Sequence, residues 1–133
     1  MSKELKDFAS ICEKIGKRGY LTSNDKEKLQ DIFGERAERA LELVFLNRVK
    51  KYKFTPSNIT LWVVVGKTNE YLVIPESRFC MCDDFLFSFF KGEQPFCSHL
   101  IAQKIAEVLG EVEEIEESDE YYFPLMEEFV SLR

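Results

Sequence analysis

The chain of 133 residues is 45% hydrophobic and 32% charged, with 12 Phe and a formal net charge of −6. This composition provides the apolar core of one domain and excludes a fully disordered chain, and the acidic balance excludes a uniformly basic nucleic-acid-binding surface. The apolar runs are far shorter than the roughly 20 residues that span a bilayer, and no signal sequence is visible. We therefore expect a cytoplasmic protein without a membrane anchor.

Helical patterns occupy the first part of the chain. Apolar residues at three-to-four spacing predict a helix over residues 3–16, with Cys12 as a small core residue on its apolar face. Asn24 and Glu27 resemble a capping box and predict the start of a longer helical region, which Gly34 splits in two and which stops near Lys51. Residues 1–55 are thus predicted to form an N-terminal helical segment.

The pattern then changes to that of extended structure. Ile59–Val65 is rich in β-branched residues and predicts a well-covered strand, and Tyr71–Ile74 predicts its return strand. Phe79–Cys82 is also expected to be extended. Phe85–Phe90 is predicted to be a further extended run because its alternate phenylalanines would share one side.

The last third combines a helix, an acidic run and an apolar tail. Residues 98–109 carry an apolar stripe and predict a helix that ends at Gly110. Seven acidic residues crowd Glu111–Glu120, a run typical of a solvated linker or helix face and less often of an interaction tail. The apolar tail is expected to fold back onto its own domain more often than to dock a partner.

The predicted fold class is α+β, with N-terminal helices followed by a small antiparallel sheet. The predicted organisation has three parts: a helical segment over 1–55, a sheet with a metal module over 56–110, and an acidic and apolar segment over 111–133.

Three of the four cysteines and the only histidine lie close together, as Cys80, Cys82, Cys97 and His99. Residues two apart on an extended segment point the same way, so Cys80 and Cys82 can share one ion. Cys97 is expected just before the next helix, with Ser98 as the cap and His99 in the first turn. Three thiolates and an imidazole suit tetrahedral zinc. Reduced structural cysteines and a disulfide pair are the alternatives, and a reducing compartment disfavours the disulfide.

The pattern Cys-x-Cys followed by Cys-x-His resembles the SWIM-type zinc finger. The resemblance covers residues 59–109 and implies a ββα module whose four Cys and His side chains coordinate one structural zinc ion. Phe85, three residues after Cys82, fits the family's tendency to an aromatic residue there. His99 to Ala102 matches the ending His-x-x-Ala of the Shu-complex SWIM subunits, which act in homologous recombination beside RecA-type recombinase paralogues.

The resemblance implies an adaptor that docks a RecA-type ATPase in homologous recombination and DNA repair, in the cytoplasm or at the nucleoid. No enzyme activity is expected, because the sequence contains no nucleotide-binding or acyl-transfer motif and four protein ligands close the metal site.

A stand-alone nucleic-acid-binding protein is the alternative function. Basic residues interleave with Tyr52 and Phe54 in one short segment, and they are Arg48, Lys50, Lys51 and Lys53. Such a segment can contact phosphates while its rings stack on bases. It equally suits the solvated C-terminal end of a helix, where cations interact favourably with the dipole. Since residues 61–133 carry 5 Lys/Arg against 15 Asp/Glu, we expect any binding to be weak without a partner.

Overall fold

The structure, a computed structural model, describes residues 2–93 and 96–131. Within these residues the chain forms six α-helices and five strands, which gives the predicted α+β class. The helices are α1 (Lys3–Arg18), α2 (Ser23–Phe33), α3 (Glu35–Phe45), α4 (Asp83–Phe90), α5 (Ser98–Leu109) and α6 (Tyr122–Ser131). The strands are β1 (Val49–Thr55), β2 (Thr60–Val65), β3 (Glu70–Ile74), β4 (Phe79–Cys80) and β5 (Glu113–Ser118). Residues 1, 132 and 133, which the predicted segments include, lie outside the described part.

The five strands form one sheet in the order β4-β3-β2-β1-β5. The pairs from β4 to β1 are antiparallel, whereas β5 runs parallel to β1. All three predicted segments contribute to this sheet, because β1 comes from 1–55, the next three strands from 56–110, and β5 from 111–133.

Helices cover both faces of the sheet. Val64 and Val73 point into the main core, which holds buried side chains of α1, α2, α3 and α5. Val63 and Leu72 point to the opposite face, where they pack against Phe129 of α6. The apolar tail therefore folds back onto the sheet, as the sequence indicates. None of the helices in the described ranges is both long and apolar enough to cross a membrane.

The central element is α5, which has the bounds that the sequence predicts. Its residues Ile101, Ala102 and Ile105 are fully buried, and it packs against α1, α3 and the sheet. Near the C-terminal end of α5, Val108 lies beside Gly16 of α1, where an added Cβ atom would be in van der Waals contact with it at 3.5 Å. α5 is thus anchored in the main core, and its N-cap and first turn carry two of the candidate metal ligands.

The prediction that the helical region continues to Lys51 is wrong. α3 ends at Phe45, and Asn47 takes a positive φ of 58° that a helix does not allow. Residues 49–55 then form β1, in which Val49 and Phe54 are fully buried. The cap of α2 also differs from the prediction, because Thr22 and Asp25 form the capping box in place of Asn24 and Glu27.

The prediction of an extended run over Phe85–Phe90 is also wrong, since these residues lie in α4. Cys82 is the N-cap of this helix, and its Sγ accepts a hydrogen bond from the backbone N–H of Phe85 at 3.3 Å. Asp83 and Asp84 occupy the first turn, where negative charge stabilises the helix dipole.

The acidic run is neither a linker nor a helix face. Residues 113–118 form the edge strand β5, which lies beside the lysine-rich strand β1. The carboxylate of Asp119 then accepts hydrogen bonds from the backbone N–H and hydroxyl of Ser57, at 3.0 and 2.8 Å. Opposite charge on the neighbouring strand and this anchor allow so acidic a segment to form a strand.

Candidate metal centre

The four predicted ligands come from three places in the fold. Cys80 ends β4, Cys82 is the N-cap of α4, and Cys97 is the N-cap of α5 with His99 in the first turn. Ser98 is the first helical residue and not the cap, which corrects the expected position by one residue. The expected ββα module corresponds to β3, β4 and α5, with the additional helix α4 inserted between β4 and α5.

The structure brings these four side chains together. One potential ligand atom from each residue lies within 4.8 Å of all the others, and the three cysteines are 3% exposed or less. Ligands about 2.3 Å from one zinc ion, in tetrahedral directions, are about 3.8 Å apart. Nδ1 of His99 is buried and has no hydrogen-bond partner in the described part of the chain, so the imidazole has an uncommitted nitrogen. The cluster therefore fits one zinc ion.

The electrostatics of the thiols favour a cation. Hydrogen bonds from Cys80 and then Cys97 lower the pKa of Cys82 well below the ordinary thiol value. The hydrogen bond to Cys82 and burial raise the pKa of Cys80. For Cys97 the hydrogen bond with Cys80 lowers the pKa, but the bond with Cys82 and burial outweigh it and raise the pKa to about 12. Three thiols packed this closely compete for protons, and a dication would displace those protons and be bound by the thiolates.

Two residues of the predicted family motif lie near the cluster without being ligands. Phe85 is buried, donates its N–H to Cys82 Sγ, and packs edge-on against Phe79 at 5.2 Å between ring centroids. Ala102 is fully buried in the main core, one turn after His99. The ring of Tyr71 lies 4.5 Å from the His99 imidazole and is the cluster's aromatic neighbour on the β3 side.

The predicted basic segment is divided by the structure. Arg48 precedes β1, whereas the three lysines lie in β1, in register with glutamates of β5. The register pairs are Lys50 with Glu113, Lys51 with Glu114 and Lys53 with Glu116. In addition, Lys50 Nζ lies 3.8 Å from Glu70, and Lys51 Nζ lies 5.3 Å from the centroid of the Trp62 ring. The four cations are therefore not one continuous patch.

Sequence reasoning missed two features beside the centre. The first is the set of exposed phenylalanines on α4, which was missed because the alternating phenylalanines were interpreted as a strand. The second is a groove that contains Arg39 and Lys67, which are far apart in sequence. The acidic pair after Cys82 was the available signal for α4, whereas no local signal pairs Arg39 with Lys67.

The fold and the Cys₃His cluster define a zinc-finger protein of the SWIM type. No protein-family model matches the chain. It is 30% identical over 121 residues to the zinc finger SWIM domain-containing protein 7 homolog of Dictyostelium discoideum, covering 90% of this chain and 78% of that protein. It is 41% identical over 90 residues to an uncharacterized protein of Archaeoglobus fulgidus, covering 68% and 67% of the two chains. Zinc finger SWIM domain-containing protein 7 of Mus musculus is 28% identical over 102 residues, which are 75% of this chain and 66% of the mouse protein. The chain belongs to the family of zinc finger SWIM domain-containing protein 7.

Proposed function

We propose that this protein is a non-catalytic adaptor that docks a RecA-type recombinase paralogue in homologous recombination and DNA repair. The ending His99 to Ala102, which resembles that of recombination SWIM subunits, supports a role in homologous recombination. The observation that carries the docking role is the α4 surface, which consists of Phe87, Phe89 and Phe90 and lies directly after the metal ligand Cys82.

The α4 surface is unusually apolar for a position in water. Phe87, Phe89 and Phe90 are 66%, 49% and 81% exposed. With about 200 Å² for each phenylalanine, they present about 400 Å², which is half of what one partner buries in a standard interface. Aromatic residues are enriched in the apolar centre of interfaces, with polar groups around them. Lys91, whose Nζ lies 4.4 Å from the centroid of Phe87, is such a polar neighbour.

The metal centre gives this surface its shape. α4 has only eight residues and begins at Cys82, whose sulfur both joins the cluster and caps the helix. An isolated helix of this length is not stable in water. Zinc would therefore hold α4 in place, and the adaptor would present a preformed docking surface.

A catalytic role has little support in the chemistry of the site. His99, the only histidine, belongs to the cluster, and four protein ligands leave no open position for an activated water. We propose that the protein contributes binding alone, in the cytoplasm or at the nucleoid, and that its partner hydrolyses ATP.

Coexpression with a RecA-type ATPase of the same organism tests the proposal. The double variant Phe87→Ser/Phe90→Ser should lose copurification while its melting temperature is unchanged. Phe123→Ser is the matched control, because Phe123 is an exposed phenylalanine on α6, and it should keep the partner. Equal capture by both variants would show that α4 is not the docking surface. Failure of the unchanged protein to capture any RecA-type ATPase would overturn the adaptor role itself.

A further inference from the structure

A groove of about 420 Å³ lies beside the metal centre. Its walls are one side of α3, the turn between β2 and β3, and the start of α5, where His99 lines it. Three cations line it from separate parts of the fold: Arg39 of α3, Arg48 before β1, and Lys67 of the β2–β3 turn. The fold, and not a local basic run, brings these charges together.

The cations of this groove are available to a ligand. Neither Arg48 nor Lys67 forms an ion pair within residues 2–93 and 96–131. Arg39 lies 3.5 Å from Glu35, but both side chains are exposed, and such pairs contribute little to stability. Glu42 is the acidic residue of the lining. Among the residues that line the groove, three cations thus stand against one carboxylate, and the formal negative charge of a zinc-loaded Cys₃His cluster would still leave the lining positive.

The lysines of β1 provide the contrast. They lie in register with the glutamates of β5, which lower the positive potential along that strand. None of the described residues that line the groove belongs to the acidic strand β5. Of the basic residues that the sequence singles out, Arg48 alone lines the groove, and it does so with two cations from elsewhere in the fold.

An exposed aromatic residue immediately precedes one of the lining residues in the sequence. Leu46 lines it, and the preceding residue, Phe45, has a largely exposed ring. Lys26 Nζ lies 5.2 Å from the centroid of that ring. Cations that follow a phosphate backbone, with an exposed ring on which a base can stack, are what single-stranded nucleic acid requires of a protein. An acidic peptide would use the cations but not the ring.

We propose that this groove binds the phosphodiester backbone of single-stranded nucleic acid through Arg39, Arg48 and Lys67. This contact goes beyond the docking role and does not depend on it. Because the whole chain carries −6, the affinity is low at physiological salt and increases as salt is lowered.

Fluorescence anisotropy of a labelled oligothymidylate of about 16 nucleotides, titrated with the full zinc-loaded chain at about 50 to 200 mM salt, tests the proposal. The variant Arg48→Gln/Lys67→Gln should weaken binding by about tenfold and reduce the salt slope by about 1.4, the value for two phosphate contacts on a single strand. The control Lys51→Gln/Lys53→Gln removes the same charge from β1 and should change the affinity by less than about twofold. Lys67→Gln alone, in an exposed turn, provides the same test should Arg48→Gln perturb the fold.

Three results would overturn the proposal. Equal weakening by both double variants would show a general effect of net charge. Absence of binding by the unchanged chain at about 50 mM salt would show that the groove holds no nucleic acid. Competition by polyglutamate as effective as that by unlabelled oligonucleotide would show a site for acidic peptides. Inorganic phosphate should compete only at far higher concentration, because it spans one contact. None of these results bears on capture of the ATPase.

Discussion

The substitution Cys82→Ser separates the two roles of one side chain. Cys82 is a member of the metal cluster, and its sulfur also caps α4 by accepting the N–H of Phe85 at 3.3 Å. Serine is among the best N-cap residues, so the variant keeps the cap while it loses the thiolate. Any large effect of the substitution therefore reports on the metal.

The structure indicates that Cys82→Ser lowers the stability strongly and that unfolding begins around the metal cluster. Residues 79–93 are held by the short pairing of β4 with β3, by the buried ring of Phe85, and by the cluster. Burial of one phenylalanine contributes about 1.5 to 3 kcal/mol. A structural zinc contributes on the order of 10 kcal/mol, which is comparable with the stability of a whole domain. α5 has its own packing against α1 and α3, so we expect β4 and α4 to unfold first.

Hydrogen exchange and thermal melting by circular dichroism measure this outcome. Cys82→Ser should remove protection from residues 79–93 and lower the melting temperature by more than 10 °C, since about 1 kcal/mol corresponds to several degrees in a chain of this size. Cys12→Ser is the matched control. Cys12 is buried in the core away from the cluster, and a buried hydroxyl costs about 1 to 3 kcal/mol. Equal melting temperatures for the two variants would refute the reasoning.

Three further predictions concern the scaffold. Burial raises the pKa of Asp25, but hydrogen bonds from Arg18 and Thr22 outweigh it and lower that pKa. The contribution of Asp25 to stability is therefore present above pH about 4 and is lost as the pH falls through the pKa of the folded state. Asp25→Asn should cost about 1 to 3 kcal/mol in urea unfolding at pH 7 but much less at pH 3. Phe129→Ala should destabilise the chain by about 3 kcal/mol in urea unfolding and expose α6 to proteolysis, and an unchanged unfolding midpoint would contradict the packing of this ring against Val63 and Leu72. Gly66→Ala would place a Cβ atom 2.9 Å from the Tyr71 ring, so melting should show about 1 to 3 kcal/mol of lost stability, and an unchanged melting temperature would contradict this packing.

Spacing alone was enough to predict the metal cluster. Cys80 and Cys82 lie two residues apart near a strand end, and Cys97 and His99 lie at a helix start, so local geometry decides where the side chains point. The bounds of α5 followed equally from its apolar stripe and from Gly110, which takes a positive φ at the C-cap. These features depend on residues close in sequence.

The errors concern features that depend on more distant residues or on a single cap. Alternating phenylalanines are compatible with a strand as well as with a short helix. Here they form the helix α4, because Cys82 caps its N-terminus. The lysines of β1 and the glutamates of β5 each suggest solvated segments when considered alone. They form neighbouring strands because the fold brings residues more than 60 positions apart into register, a pairing that neither segment reveals by itself.

Metal analysis combined with X-ray absorption at the zinc edge tests the central claim most directly. The account predicts one zinc ion per chain, with three sulfur neighbours at about 2.3 Å and one nitrogen neighbour at about 2.0 to 2.1 Å. The sulfur ligands are those of Cys80, Cys82 and Cys97, and the nitrogen is that of His99. A folded chain purified without zinc, or a zinc shell with fewer than three sulfur atoms, would contradict it.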